Sequence, residues 1–362
     1  MADRRTAHPY YVYEAVHDQP ALIEAVLAQG AAIERAGDAA AEKERVIFVG
    51  IGTSLHAAQI AEIWLREFTG GHIWAHFEQS FEFLHHPVAM GREDAVVVIT
   101  HTGSSSASAE ALRVARAAGA LTIAITGQNS AEAIRGADFQ IETCGQEVAF
   151  AYTKSYTTAL AALALINLRI AKNRNMLARE NFHAELSSVP ALMRQALGLE
   201  AQTRELAKRM ASRERVEIFG AGSGWATARE AALKIKESCY VAAEGFETEE
   251  VLHGPFSEVD SRTALVGLLS GAQSDDRALQ IFRAAREVKA LRAAVAVPSA
   301  NRDLAAEDVL LLPECAEWLQ AFVHLVPLQL LNYFLALERG TSPDSGRQEQ
   351  ELHAAASKHY KY

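Results

Sequence analysis

Two stretches of this chain share one short design, and that duplication constrains the fold more than any other feature. An apolar strand, Val46-Ile-Phe-Val49, runs into a glycine turn, Gly50-Ile-Gly52-Thr-Ser54, and then into an amphipathic helix from Leu55 to Phe68. About 170 residues later, Val216-Glu-Ile-Phe219, Gly220-Ala-Gly222-Ser-Gly224 and a helix from Trp225 to Tyr240 repeat it. Such a spacing signals a duplicated domain rather than a short-period solenoid. Each half continues in strand–helix alternation. In the first, Ala95–Ile99 reads as strand, Ser105–Ala118 as helix and Leu121–Ile125 as strand. In the second, Thr263–Leu269, Ala278–Leu291 and Ala293–Val297 follow the same sequence of types. Strands this apolar, separated by helices, predict parallel sheets covered on both faces.

The expected fold class is therefore α/β: two doubly wound, flavodoxin-like three-layer α/β/α domains with flanking helices. Expected boundaries are an N-terminal helical segment at 1–40, a first domain at 41–200, a second at 201–340 and a tail at 341–362. Val12–Ala36 reads as helix. Ser155–Arg213, nearly without Gly and rich in Ala, Leu and Met, reads as long helices with a break at Ser187-Ser-Val-Pro190. The polar stretch from Thr341 onward has no periodicity that fixes a structure, and disorder is its expected state.

Composition narrows the partners. A formal net charge of −10 argues against a general nucleic-acid or anionic-membrane surface, while local donors can still capture a small anion. Cys144, Cys239 and Cys315 are far apart and odd in number, with no metal-ligand spacing, which fits buried thiols in a reducing cytoplasm. The start, Met-Ala-Asp-Arg-Arg, leads into no apolar signal core, and no apolar run suggests a membrane span.

Two motifs carry chemistry. Glu230, Lys234 and Glu237 are four and three residues apart, so a helix brings them to one face. The pattern suits either a surface ion ladder or an acid–base site, and its launch from a glycine turn at the carboxyl end of a parallel sheet favours chemistry. Proton abstraction beside a carbonyl needs such a carboxylate and a cation for the developing oxyanion. The second motif, Thr100-His-Thr102-Gly103-Ser-Ser-Ser106, joins strand to helix with five hydroxyls, more than N-capping needs, and suits a phosphate at a helix N-terminus. Ser54 lies in the neighbouring turn. Neither loop is a Walker motif, and Trp225 stands where a dinucleotide fingerprint would need its third glycine.

Together these features resemble the sugar isomerase (SIS) family, and within it the isomerase half of glucosamine-6-phosphate synthases. The ordered elements are Tyr13-Glu-Ala-Val-His-Asp-Gln-Pro20, Gly52-Thr-Ser54, Ser80-Phe-Glu82-Phe83, Thr102-Gly103, Glu147, Thr153-Lys154, Thr157-Thr158, Ala232–Glu237, Glu250-Val-Leu-His253-Gly-Pro255 and Val326–Leu331. The resemblance implies that Ser54, Thr100, His101, Thr102 and Ser105 form the sugar-phosphate loop. It makes Glu237 the base that moves a proton between C1 and C2, Lys234 the stabiliser of the enediolate or enolamine, and His253 the assistant in ring opening. Glu147 and the backbone of Phe150, Ala151 and Tyr152 would line the sugar pocket. His253 would come from the partner subunit, implying a homodimer. No metal or cofactor is implied.

Departures bear on the activity. Residue 2 is alanine and the chain starts within the isomerase region, so the glutaminase domain with its nucleophilic cysteine is expected to be missing. Asp344 and Arg347 keep part of the family's C-terminal motif, but Glu351 stands where its Schiff-base lysine would align, leaving Lys358 or Lys361 as substitutes. Thr100, His101 and Ser104 replace the more usual serine, glutamine and glutamate. These changes favour a sugar-phosphate isomerase or amino-sugar-phosphate deaminase over an aminotransferase needing ammonia or a partner glutaminase. A non-catalytic phosphosugar-binding module is the reading from a different class.

Overall fold

The computed structural model describes residues 5–300, 304 and 306–360. It divides into two compact units, each built on one five-stranded parallel sheet. In the unit of Gln19–Glu147 and Lys154–Pro190, the strands are β1 (Arg45–Gly50), β2 (Trp74–Gln79), β3 (Asp94–Ile99), β4 (Leu121–Thr126) and β5 (Phe139–Glu142), in the order β2-β1-β3-β4-β5. The other unit comprises the residues up to Asp18, Val148–Thr153 and Ala191–His359. Its strands are β6 (Arg215–Gly220), β7 (Ala242–Glu247), β8 (Thr263–Leu269), β9 (Leu291–Ala296) and β10 (Asp308–Leu311), in the order β7-β6-β8-β9-β10. Both orders read 2-1-3-4-5, with the direction of winding reversing between β1 and β3 and again between β6 and β8.

Helices α1 (Tyr11–Leu27), α2 (Gly30–Ala41), α3 (Thr53–Phe68), α4 (Ser80–His85), α5 (Ser106–Ala117), α6 (Lys154–Asn173), α7 (Phe182–Leu197) and α8 (Glu200–Met210) precede, alternate with or follow the strands of the first sheet in the chain. With the second come α9 (Ser223–Cys239), α10 (Asp275–Glu287), α11 (Gln320–Val323), α12 (Leu325–Glu338) and α13 (Glu351–Ala356). In the first unit α2 and α3 pack on α6; in the second α8 and α9 pack on α12. The stretch Glu317–Glu338 is apolar and long enough to cross a membrane, but it is wholly buried against protein.

The glycine turns explain how each sheet launches its first helix. Gly52 and Gly222 share one conformation, φ 56° with ψ near −124° and −128°, which L side chains rarely adopt. A Cβ on Gly50 would meet Ser54 backbone at 2.5 Å, and one on Gly220 would meet Gly224 at 2.9 Å. The repeat read in the sequence is therefore a repeat of backbone geometry.

Two expectations are corrected. Pro190 does not break a helix but sits inside α7, whose Leu186, Val189, Met193 and Ala196 are buried. Burial of that apolar face outweighs the hydrogen bond that proline cannot donate. Nor are the described residues of the tail unstructured. The Asp344 carboxylate accepts the N–H groups of Tyr11 (2.9 Å) and Val12 (3.0 Å), capping α1, while its carbonyl accepts Phe150 N–H at 2.8 Å. Tyr240 Oη accepts Arg347 N–H at 2.9 Å, and the Arg347 guanidinium lies 4.6 Å over the Tyr240 ring. Removing the cap with Asp344→Ala is expected to cost about 1–2 kcal/mol in urea unfolding.

One core carboxyl opposes the fold. Glu217 on β6 is 3% exposed, and no described group hydrogen-bonds either of its oxygens. Burial pushes it up to about 7, with Glu258 and Glu244 adding to the effect and Arg215 opposing it. The folded chain thus holds a proton that the unfolded chain releases from its ordinary value of 4.5 upward. This group's penalty grows as pH rises from 4.5 through 7, reaching about 3 kcal/mol above that window. Glu217→Gln is expected to raise Tm clearly at pH 8 and much less at pH 5.

Candidate active site

Helix α9 carries the acid–base stripe inward. Lys234 is 2% exposed and Glu230 1%, while Glu237 is 20% exposed. The Lys234 ammonium stands 2.8 Å from Glu237 Oε2 and 3.5 Å from Glu230 Oε1. This is no surface ladder: an ammonium taken out of water is tolerated only with charged partners held at hydrogen-bond distance. Of the two carboxylates, Glu237 is the one open to a ligand, and it lies within reach of a fixed cation. Such a pair can take a proton from carbon and stabilise the oxygen anion that results. Lys234→Met leaves buried Glu230 without its ammonium, with an expected cost of about 3–5 kcal/mol in chemical unfolding. Adding Glu230→Leu is expected to recover most of that loss.

His253 ends the 3₁₀ turn Glu250–Leu252 that follows β7, before Gly254 at φ 134°. Its hydrogen bond is to Glu249, with Nε2 3.2 Å from Oε1. Glu247 braces the same turn by accepting the N–H groups of Glu249 (2.7 Å) and Glu250 (3.3 Å). In this unit too lie Phe150, Ala151 and Tyr152; Phe150 adjoins the tail, its N–H donating to the Asp344 carbonyl and its ring packing against Gly346. Glu351 and Lys358 are exposed, on α13 and the short turn after it; Lys361 lies outside the described residues.

The hydroxyl loop belongs to the other unit. Thr100–Ser105 leaves the carboxyl end of β3 beside the Gly52–Ser54 turn from β1, at the point where the winding reverses. Thr102 Oγ1 and Ser104 Oγ lie 2.6 Å apart, and Ser105 Oγ caps α5 by accepting Ser108 N–H at 3.4 Å. Gly103 takes φ 68°, where a Cβ would strike Ile134 at 2.7 Å. The first-turn amides of α5 thus face the cluster of hydroxyls, an arrangement that favours an anion. His101 turns its ring to Glu147, whose N–H donates to Nε2 at 3.0 Å. Burial pushes the imidazole below its usual value, consistent with a neutral ring carrying its proton on Nδ1. Glu147 in turn accepts Ser155 N–H (2.8 Å) and Oγ–H (2.5 Å).

A profile of the SIS domain matches residues 40–169 and, a second time, 209–339. The chain belongs to the SIS domain family. Over 358 residues it is 30% identical to glutamine–fructose-6-phosphate aminotransferase (isomerizing) of Thermococcus kodakarensis, covering 96% of this chain and 58% of that protein. A human protein named for the same activity is 29% identical over 310 residues, covering 84% of this chain and 45% of its own length. The chain therefore spans about half the length of the curated relatives it matches. Among solved structures, the C-terminal domain of the Francisella tularensis glucosamine-fructose-6-phosphate aminotransferase superposes with TM-score 0.86 at 24% identity, covering 94% of this chain and 99% of that one. Tagatose-6-phosphate ketose/aldose isomerase of Escherichia coli gives 0.76 at 21%, covering 95% and 96%. Glucosamine-6-phosphate deaminase of Thermotoga maritima gives 0.73 at 18%, covering 93% and 97%. At these identities the likeness is one of fold.

The two SIS units differ where an anion would sit. In the second, the loop from β8 to α10 is filled by the chain itself: the Asp275 carboxylate accepts the N–H groups of Ser270 (3.2 Å) and Gly271 (2.7 Å). In the first, the corresponding loop presents hydroxyls instead. Sequence reading passed over Asp275, Glu249 and the capping role of Asp344. Asp275 opens a helix and Glu249 stands four residues before His253, but neither pattern by itself separates such residues from ordinary surface acids.

Proposed function

We propose that this chain is a sugar-phosphate isomerase or an amino-sugar-phosphate deaminase/isomerase, moving a proton between C1 and C2 of a phosphorylated sugar or amino sugar. The observation that carries the reading is the buried Lys234 ammonium 2.8 Å from the partly open Glu237 carboxylate. Glu237 takes the proton from the carbon next to the carbonyl and returns it to the neighbouring carbon. Lys234 donates to the enediolate or enolamine oxygen formed between the two steps. His253 assists opening of the sugar ring, contributed by the partner subunit of a homodimer. Ser54, Thr100, Thr102 and Ser105 hold the phosphate with the first turn of α5. His101 and Glu147 brace that loop, and the backbone of Phe150 to Tyr152 contacts the sugar.

The relatives and structural neighbours support the substrate class, since their names specify hexose 6-phosphates and isomerase, aminotransferase or deaminase chemistry. Exposed Glu351, a carboxylate where the family's imine lysine is expected, favours proton transfer on the open-chain carbonyl over transamination. The assay is product analysis with fructose-6-phosphate, glucosamine-6-phosphate and related phosphosugars, with ammonia measured in parallel. Interconversion with at least one member is expected, and ammonia release assigns the deaminase. Glu237→Gln is expected to lower turnover about 10²- to 10⁴-fold while calorimetric binding persists. Retained turnover in that variant would remove Glu237 as the base. Binding without turnover in the wild-type protein would instead assign a phosphosugar-binding module.

A further inference from the structure

His253 is 64% exposed, and a surface imidazole on a short turn ordinarily samples several rotamers and both neutral tautomers. Here three side chains in series restrict it. Arg277, in the first turn of α10, sets its fork on Glu249, with Nε 2.5 Å from Oε2 and Nη2 3.0 Å from Oε1. Its remaining Nη1 donates to Gln280 at 2.7 Å, so all three faces of the guanidinium are engaged. The carboxylate gripped in this way accepts from His253 Nε2 at 3.2 Å. A two-point arginine–carboxylate pair fixes direction as well as distance, which a single ion contact does not. Both ends of the chain are anchored: α10 starts at Asp275, tied to Ser270 and Gly271, and Glu249 N–H is tied to Glu247.

We infer that Arg277 and Glu249 are positioning residues that hold the His253 imidazole in one orientation and one tautomer. Because a carboxylate can only accept, the proton of the neutral ring is on Nε2, and the Nδ1 lone pair is presented outward for proton transfer during ring opening. Glu249 stays ionised: its hydrogen bond to His253 comes first, with Arg277 adding, in holding it below the usual carboxylate range. The other charged groups around the turn are Glu247 and Glu250 on the turn itself, Glu258 on the 3₁₀ turn that follows, and Asp276 beside Arg277. The inference rests on the proposed role of His253, but the order of the ring can be measured without it.

The test is a set of coupled substitutions in the full chain. Glu249→Gln and Arg277→Gln are each expected to lower kcat about tenfold with KM changed less than about twofold. On a His253→Ala background both are expected to have no further effect. Losses of equal size on that background, or losses confined to KM, would overturn the positioning role. Independently of activity, ¹⁵N–¹H long-range spectra of the neutral ring are expected to show the proton on Nε2 alone in the wild-type protein and on both nitrogens in Arg277→Gln. Mixed tautomers in the wild-type protein would overturn the inference. Absence of phosphosugar turnover with a single tautomer would overturn only the proposed function.

Discussion

The acid–base stripe of the second unit is organised around one buried ammonium. Lys234 has left water, a step that costs several kcal/mol for a charged group, and the offset comes from carboxylates one helical turn to either side. That arrangement exists only while residues 230, 234 and 237 share a helix face, and the helix exists only where Gly220 and Gly222 let the chain turn sharply off β6. Its far end is equally constrained. Tyr240 stops the helix in the left-handed conformation, and its hydroxyl then receives the backbone of the tail. A segment that reads as loose in sequence is thereby fastened just beyond Glu237.

Duplication supplied two equivalent loops, and chemistry separated them. At the carboxyl end of β3 the chain offers threonine and serine hydroxyls beside the first turn of α5. At the carboxyl end of β8 it fills the same position with Asp275, so those backbone donors are satisfied from within. A carboxylate there answers the same electrostatic demand that a bound phosphate would answer in the first unit. The second unit instead carries the charged stripe of α9 and the turn bearing His253. One ancestral design thus yields two specialised halves, each with its own complement of polar groups.

What could be read from the sequence follows burial. The strands β1, β3, β4, β6, β8 and β9 lie within their sheets, are buried on both faces and, but for Glu217 on β6 and Arg292 on β9, stand out as largely apolar runs. The strands β2, β5, β7 and β10 are the edges; Trp74-Ala-His-Phe-Glu-Gln79 and Ala242-Ala-Glu-Gly-Phe-Glu247 mix charges and exposed positions, and so carry no such signal. The Glu230–Lys234–Glu237 stripe was legible because its three members are neighbours in sequence. The links from Arg277 to Glu249, from Asp344 to the start of α1, and from Tyr240 to Arg347 span tens to hundreds of residues, and only the folded chain brings them together. Pro190 shows the reverse case, where a strong local rule yields to the burial of a helix face.

The central claim is that the Lys234–Glu237 pair transfers a proton on carbon. It is tested most directly by incubating the protein in D₂O with a panel of hexose 6-phosphates and their 2-amino counterparts and following C1 and C2 by NMR. Deuterium entering at C1 or C2 of at least one sugar, and failing to enter with Glu237→Gln, is the expected result. Exchange that survives that substitution, or a sugar that binds at the hydroxyl loop without any exchange, would contradict it.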